Sequence, residues 1–187
     1  KNGTTEGGTE VTLYGLSLGH PSFSGVAQLA VHFHTKTCVV GGTECAVVEH
    51  DHNMVKFLHP TGLGVDRAVY MSIVDRNASS YSVRTAALNF TYNAPSISFI
   101  VPNVADARGD SIRVRGVNFG RTEDAETPQE KVVAVVVNDL PCANVQRVER
   151  FGEPALECNM ETDVVGSKNV TITVAGQNGF LSAKQGV

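Results

Sequence analysis

The pattern of hydrophobic and polar positions along the chain is that of short β-strands. Residues 29–33 and 97–101 alternate apolar and polar side chains, and similar runs recur along the sequence. Such alternation places successive side chains on opposite faces of a strand, one toward a core and the next toward solvent. The runs end at Gly, Asn, Asp or Pro, which favour turns. The pattern therefore predicts an all-β protein.

The stretch 89–120 contains the clearest boundary in this pattern. Residues 89–92 predict the last strand of one module, and residues 97–101 predict the first strand of the next. Pro95 lies between them, and because a proline cannot donate to a strand ladder, it is typical of a strand boundary. We expect so short a joint to make a semi-rigid rod of the two modules.

An internal repeat supports the same division. Gly15 matches Gly116 at an offset of 101 residues, and the same offset relates the apolar positions of residues 69–73 to those of residues 170–174. A single offset that returns at both ends of a module indicates tandem domains.

The repeat predicts two domains, residues 1–93 and 94–187, each with about seven short strands as in a β-sandwich. The first lacks a counterpart of residues 97–101 and the second a counterpart of residues 89–92. Because missing strands leave sheet edges unpaired, we expect the parent chain to supply them.

The predicted strands are residues 11–13, 26–34, 46–49, 54–58, 69–74 and 87–92 in the first copy, and 97–101, 112–114, 132–137, 143–148, 155–158 and 169–174 in the second, with residues 38–45 as a loop.

Composition and charge narrow the function. The 187 residues carry a net charge of −4 and no basic stripe, which argues against nucleic acid as a partner. No run of apolar residues is long enough to span a bilayer, so we expect no direct membrane insertion of this segment. A β module of this length buries a core without a metal or cofactor.

The cysteines and sequons indicate an oxidising compartment. The four cysteines, Cys38, Cys45, Cys142 and Cys158, form no Cys-x-x-Cys pair, which argues against zinc or redox chemistry. Two in each half predict one disulfide in each half. Four N-glycosylation sequons begin at Asn2, Asn77, Asn89 and Asn169. Together these features favour a secreted or cell-surface protein whose partners include N-linked glycans.

Three motifs resemble the IPT/TIG immunoglobulin-like family. They are the sequence GGTEVTLYGLSLG of residues 7–19 with its second form GDSIRVRGVNFG at 109–120, Pro141-Cys142-x-x-Val145 followed by residues 155–158, and the joint of residues 89–102. The resemblance covers almost the whole chain. It implies two tandem immunoglobulin-like β-sandwich (IPT/TIG) domains, a fold that serves as a scaffold for many functions.

The resemblance also bears on the disulfides. It implies a bridge between Cys142 and Cys158 in the second copy, whereas Phe57 stands at the position of the second family cysteine in the first copy. Cys38, expected on an inserted loop, would then be the partner of Cys45. If Cys38 is placed otherwise, both thiols of the first copy would be unpaired.

The histidines are the best enzyme-like signal. His32 and His34 are predicted on the outward face of one strand, and His50 and His52 in the following hairpin turn. Two His-x-His pairs on adjacent strands could present four imidazoles to one metal. Because nothing supplies second-shell partners, a solvent-facing polar strand is the preferred interpretation, and we expect no metal.

Two loops are candidate contact surfaces. Arg108-Gly109-Asp110 is a sequence that some integrins bind, but it falls at a turn of the family motif, so we interpret it as a turn. Residues 121–130 are acidic and longer than a plain hairpin turn, which indicates either a mobile loop or a contact surface. We prefer the mobile loop.

The sequence predicts no catalysis and no cofactor, since it has no nucleophile elbow, phosphate-cradling loop or acid pair in an apolar pocket. We expect a non-enzymatic extracellular structural or adhesion module, part of a longer array of TIG repeats in a surface glycoprotein, coat or filament, whose partners are other protein modules or neighbouring subunits. The alternative is the ligand-binding stalk of a plexin-like receptor ectodomain. A carbohydrate-binding module is a third interpretation, although the chain has no Trp and only 4 Tyr.

Overall fold

A computed structural model describes residues 2–18, 27–43, 45–75, 82–101, 111–121, 124, 133–150, 153–161 and 169–181. Sixteen strands are described: β1 (Asn2–Gly3), β2 (Glu10–Tyr14), β3 (Ala27–Phe33), β4 (Lys36–Val40), β5 (Ala46–His50), β6 (Met54–Leu58), β7 (Arg67–Asp75), β8 (Ser82–Arg84), β9 (Leu88–Tyr92), β10 (Ser96–Val101), β11 (Ser111–Val117), β12 (Val133–Val137), β13 (Leu140–Arg150), β14 (Glu153–Met160), β15 (Val170–Val174) and β16 (Gln177–Leu181). The all-β prediction is confirmed. In this part of the chain, no helix is long and apolar enough to cross a membrane.

The chain divides into a first unit, residues 1–92, and a second unit, residues 93–187. In the first unit the strand order is β1-β9-β7-β3-β4-β5-β6-β2, with β8 paired to β7. The β1–β9 and β4–β5 pairs are parallel, and the others are antiparallel. Side chains from β2, β5 and β6 share one hydrophobic core with side chains from β3, β7 and β9. The strands therefore fold over one another at the junction of β4 and β5, which is only two residue pairs long.

The second unit has the strand order β10-β11-β14-β13-β12-β15-β16. The long strand β13 pairs with β12 through its first two residues and with β14 through most of the rest, so it connects the two halves of the unit. Buried side chains alternate along β11 and β15, which explains the period-two pattern of their sequences.

The two units use the same strand register. Val11 of β2 pairs with Phe57 of β6, and the positions 101 residues later, Ile112 and Cys158, pair in β11 and β14. The β3–β7 and β12–β15 pairs also align. Residues 69, 71 and 73 pair with residues 33, 31 and 29, and residues 170, 172 and 174 pair with residues 137, 135 and 133, so the offset is 101 on one strand and 104 on the other.

The glycine at the end of the second strand has a steric reason in each unit. A Cβ on Gly116 would collide with the Ser96 carbonyl oxygen of β10 and would lie 2.8 Å from the ring of Phe119, which folds back into the core and is 1% exposed. Asn118, between them, takes the left-handed region at φ 62°. The first unit repeats this turn with Gly15, Ser17 at φ 59° and Leu18, which is 7% exposed.

Several expectations about strands need correction. Cys38 does not lie on an inserted loop, because residues 36–40 form β4 and pair with β3. The predicted loop of residues 38–45 began too early, because Gly41 and Gly42 are typical of a turn and the last residues of β4 were included with them. Strands β8 and β16 were not expected. Strand β13 is longer than the predicted 143–148, since it begins at Leu140 and ends at Arg150. Asn144 within it takes a left-handed φ of 53° at an irregularity in the pairing with β14. The first unit also opens with β1, which pairs in parallel with β9.

Substitution of Gly116 by Ala should lower the free energy of unfolding of the second unit by about 1–3 kcal/mol, because the new methyl group would overlap the backbone of β10. Urea denaturation of the intact chain measures the loss. Gly15→Ala is the matched control, since a Cβ there meets only the flexible side chain of Leu18, and its cost should be smaller. Equal losses for the two variants would contradict this steric explanation.

Candidate functional site

Each unit contains one disulfide. Cys38 of β4 is bonded to Cys45, and Cys142 of β13 is bonded to Cys158 of β14. The described cysteines are therefore all paired, and none is available as a nucleophile or a thiolate ligand.

The two units fill one equivalent core position in different ways. Cys158 occupies the position that Phe57 occupies in the first unit, as the shared register shows. Phe57 is fully buried and packs edge-on against Phe33, with ring centroids 6.2 Å apart. The first unit thus replaces a covalent link at this position with aromatic packing, and its disulfide lies elsewhere, between β4 and the residue preceding β5.

The four histidines considered for a metal site are not brought together. The two pairs are not on adjacent strands, because β4 lies between β3 and β5. His34 has left the strand at φ 53°, so it does not share a strand face with His32. His50 bonds through Nε2 to the Leu18 carbonyl oxygen at 3.0 Å, and His52 lies in the turn after β5. No group of three or more His, Cys, Asp or Glu in the described part of the chain is arranged to hold a metal ion.

His32 instead belongs to a cluster on the outward face of the sheet formed by β4, β3, β7 and β8. Its ring stacks on Tyr70 of β7 at a centroid distance of 4.6 Å, and the Arg84 guanidinium lies over Tyr70 at 3.5 Å. His32 Nε2 is 2.7 Å from the Ser72 hydroxyl, and its Nδ1 is 3.3 Å from the Thr37 hydroxyl. We call these five residues the polar cluster.

The register explains why these side chains meet. Tyr70 and Thr37 are the cross-strand partners of His32, and Ser72 pairs with Arg84. Directly opposed residues share a face and lie close enough to interact. Burial, followed by the positive charge of Arg84, lowers the pKa of His32 below its usual value. The polar cluster therefore presents a neutral imidazole and a fixed guanidinium at neutral pH.

The polar cluster does not offer an open aromatic ring. Tyr70 is covered on one side by His32 and approached by Arg84 over the ring, and Tyr92 is only 2% exposed. Tyr14 is 79% exposed at the end of β2. Of the tyrosines in the described segments, Tyr14 alone could provide a ring on which a sugar might stack.

The three described sequon asparagines are exposed, and two of them share the face of the polar cluster. Asn2 lies opposite Thr91 in the β1–β9 pair, and Asn89 lies opposite Ala68, two residues before Tyr70 on β7. Alternation therefore puts both asparagines on the outward side of this sheet. Asn169 immediately precedes β15, which belongs to the corresponding sheet of the second unit.

Other predicted positions lie outside the described residues. They are Asn77, the segment Arg108-Gly109-Asp110 and, apart from Arg121 and the buried Asp124, the acidic loop.

A buried histidine is the feature that sequence reasoning missed. His59 is fully buried, donates from Nδ1 to the Pro60 carbonyl oxygen at 2.9 Å, and leaves Nε2 without a hydrogen-bond partner. Its ring packs among Phe33, Phe90 and Tyr92, with centroids 5.2–6.5 Å away. Burial lowers its pKa, against the opposing effect of the Pro60 hydrogen bond. The only sequence signal was that His59 continues the buried alternation of Val55 and Phe57 past the end of β6.

The comparisons with known proteins agree with this architecture. Residues 1–92 match the family model of the IPT/TIG domain. No curated protein matches the chain. The fold is all-β and immunoglobulin-like, and the match to the IPT/TIG model covers the first unit.

Solved structures show similarity at low sequence identity. The surface glycan-binding protein PbSGBP-B from Prevotella bryantii is 13% identical with a TM-score of 0.50, over 92% of this chain and 35% of that chain. SGBP-B from a complex xyloglucan utilization locus in Bacteroides uniformis is 19% identical with a TM-score of 0.38, over 95% and 45%. A titin structure, A168169, is 11% identical with a TM-score of 0.40, over 97% and 92%. The chain thus spans less than half the length of these two glycan-binding proteins, and the likeness concerns the fold alone.

Replacement of Arg84 by Gln should raise the pKa of His32 toward its usual value, because it removes the positive charge that disfavours the imidazolium. Titration of the His32 ring resonances by NMR measures the change. The pKa should not recover fully, since burial of the ring is its larger cause. Arg115→Gln, in the second unit, is the charge-matched control and should leave His32 unchanged. An unchanged or lowered pKa in the Arg84 variant would contradict the proposed coupling.

Acid should destabilise the first unit through His59. Because the pKa of this histidine is lowered in the folded state, the unfolded chain binds more protons once the pH falls below about 6.5. Above that pH, His59 should not lower the free energy of unfolding. Below it, the free energy of unfolding should decline by up to about 1.4 kcal/mol per pH unit, until the pH reaches the lowered pKa of the folded state. Urea denaturation across this range measures the slope.

Replacing His59 by Met should flatten this pH dependence, whatever the variant's stability at neutral pH. His52→Gln, an exposed position, is the control and should retain the slope. A slope that survives in the His59 variant would assign the acid sensitivity to other groups.

Proposed function

We propose that this chain is a non-enzymatic extracellular structural or adhesion module, composed of two tandem IPT/TIG domains within a longer array in a surface glycoprotein, coat or filament. The observation that carries the proposal is that both units use one strand register while each has its own disulfide. Disulfides persist in oxidising compartments, and units that repeat one fold are suited to linear arrays.

The sequon asparagines support an extracellular setting. Asn2, Asn89 and Asn169 are exposed, so their amide groups are accessible to the glycosylation machinery. On the first unit, sugars at Asn2 and Asn89 would cover the outward side of the sheet that carries the polar cluster. Protein partners would then contact the opposite sheet, formed by β2, β6 and β5.

A ligand-binding stalk of a plexin-like receptor is the second candidate, and the polar cluster favours it. Arg84 is exposed and held over Tyr70, so its guanidinium is preorganised for an acidic group on a protein ligand. A full-length gene with one membrane span and a cytoplasmic signalling domain would support this candidate. A gene without them would remove it.

A carbohydrate-binding role has less support on these surfaces. The glycan-binding proteins that resemble the chain share its fold at low identity, and the polar cluster leaves little of the Tyr70 ring uncovered. Binding on a glycan array that is lost in a Tyr14→Ala variant would revive this role.

Expression through a eukaryotic secretory pathway should yield a protein with no free thiol and with N-glycans at Asn89 and Asn169. Peptide mapping by mass spectrometry, with and without enzymatic deglycosylation, measures both. Asn89→Gln should remove one glycan and leave the disulfides intact. The same mapping on the natural protein decides the proposal: free thiols together with unmodified asparagines would exclude an extracellular module.

A further inference from the structure

A short segment of the first unit closes the buried His59 off from water. Residues 2–7, which we call the strap, comprise β1 and the turn after it, and they lie against the residues that follow β6. The Gly62 N–H donates to the carbonyl oxygen of Thr5 in the strap at 3.1 Å, and Thr5 is 1% exposed. The strap therefore covers His59 together with the segment after it.

Gly3 of the strap lies directly on the imidazole. A Cβ on Gly3 would lie 2.5 Å from Nε2 of His59 and 2.7 Å from the ring of Phe90, so a side chain does not fit there. The same Nε2 atom is buried and has no hydrogen-bond partner. Gly3 and Phe90 thus border Nε2, and a donor or acceptor can reach this nitrogen only after a neighbour moves.

Of these two neighbours, the strap is the one that can move without opening the core. Phe90 is 3% exposed and packs edge-on against Phe33 and Tyr92, with ring centroids 4.8 and 5.3 Å away. Gly3 contributes no side chain to this packing. Displacement of Phe90 would break the aromatic cluster, whereas displacement of the strap mainly costs backbone hydrogen bonds that water can replace.

We propose that the strap is a pH-responsive latch, which lies closed over a neutral His59 and is released when the imidazole takes up a second proton at Nε2. The charged ring requires an acceptor or water at Nε2, and the closed strap supplies neither. Release of the strap gives the imidazolium access to water while β3, β7 and β9 stay folded. The latch goes beyond the proposed function and does not depend on it.

The titratable groups around the imidazole do not account for such a response. Tyr92 faces the ring from β9 at a centroid distance of 5.8 Å, and β3 contributes the apolar Phe33. Lys36 of β4 reaches the segment after β6 through its ammonium group, and Glu6 lies on the strap. Burial lowers the pKa of His59, opposed by a backbone hydrogen bond, and none of these side chains contributes to that pKa. The response therefore belongs to His59 itself.

Native-state hydrogen exchange, followed by NMR on the unglycosylated 187-residue chain between about pH 7.5 and about pH 5, tests the latch. The Gly62 N–H reports on the strap because its acceptor is the Thr5 carbonyl oxygen. Its protection factor, corrected for the intrinsic effect of pH on exchange, should fall about tenfold per pH unit below about pH 6.5. At each pH it should lie below the protection factors of the β3 amides and depend less on urea, because release of the strap exposes less surface than unfolding.

Three variants separate the latch from general acid sensitivity. His59→Met removes the proton site, so the protection of Gly62 should no longer depend on pH. Gly3→Ala places a methyl group against the imidazole and should release the strap even at neutral pH, with a loss of Gly62 protection of about tenfold or more. Asn2→Ala, an exposed position on the same strand, is the matched control and should behave as the wild-type chain.

Equal protection of Gly62 and the β3 amides at every pH would show that the strap opens only with the whole unit, and would overturn the inference. A wild-type protection factor that does not change with pH, a pH dependence that survives in the His59→Met variant, or unchanged protection in the Gly3→Ala variant would overturn it equally. Because the wild-type and Gly3→Ala measurements stand alone, the test does not depend on the stability of the His59 variant. None of these outcomes alters the disulfide and glycan test of the proposed function.

Discussion

Burial of alternate side chains between facing strands is the interaction on which both units depend. In the first unit it converges on Phe57, which is fully buried and packs against Phe33. In the second unit the same register position belongs to Cys158, bonded to Cys142. The aromatic contact joins β6 to β3, which are not paired with each other, whereas the disulfide links β13 and β14, which are neighbours in a sheet. The pairing of β2 with β6 and of β11 with β14 can keep the same register, because a buried phenylalanine and a buried half-cystine can each fill this core position.

Alternation along the strands also determines what each sheet can offer to a partner. In the first unit the outward side of β3, β7 and β9 carries the polar cluster together with the exposed asparagines at positions 2 and 89. The strands β2, β5 and β6 carry no sequon, and Tyr14 and Leu16 extend into solvent at the end of β2. Sugar attachment and polypeptide contact can therefore occupy different sides of one small domain.

The core of the first unit contains a histidine, His59, that we expect to destabilise the folded state in acid. His59 is surrounded by aromatic rings, and its Nε2 has no hydrogen-bond partner. If Nε2 were protonated, no acceptor would be in place for its N–H. A neutral imidazole is accommodated there much as a hydrophobic side chain would be, while the charged form would lose its hydration without compensation. The acid sensitivity that we expect of this unit would thus follow from the same packing that closes its core.

The amino-acid sequence by itself determined the all-β class, the division near residue 93 as a prediction, and the positions of the clearest strands, because a period of two records which face is buried. It could not place β4, since Gly41 and Gly42 made its surroundings look like a loop, nor could it show that β4 separates the two histidine pairs. Strand order decides which distant residues become neighbours. Only the tertiary structure therefore brought His32, Tyr70 and Arg84 together.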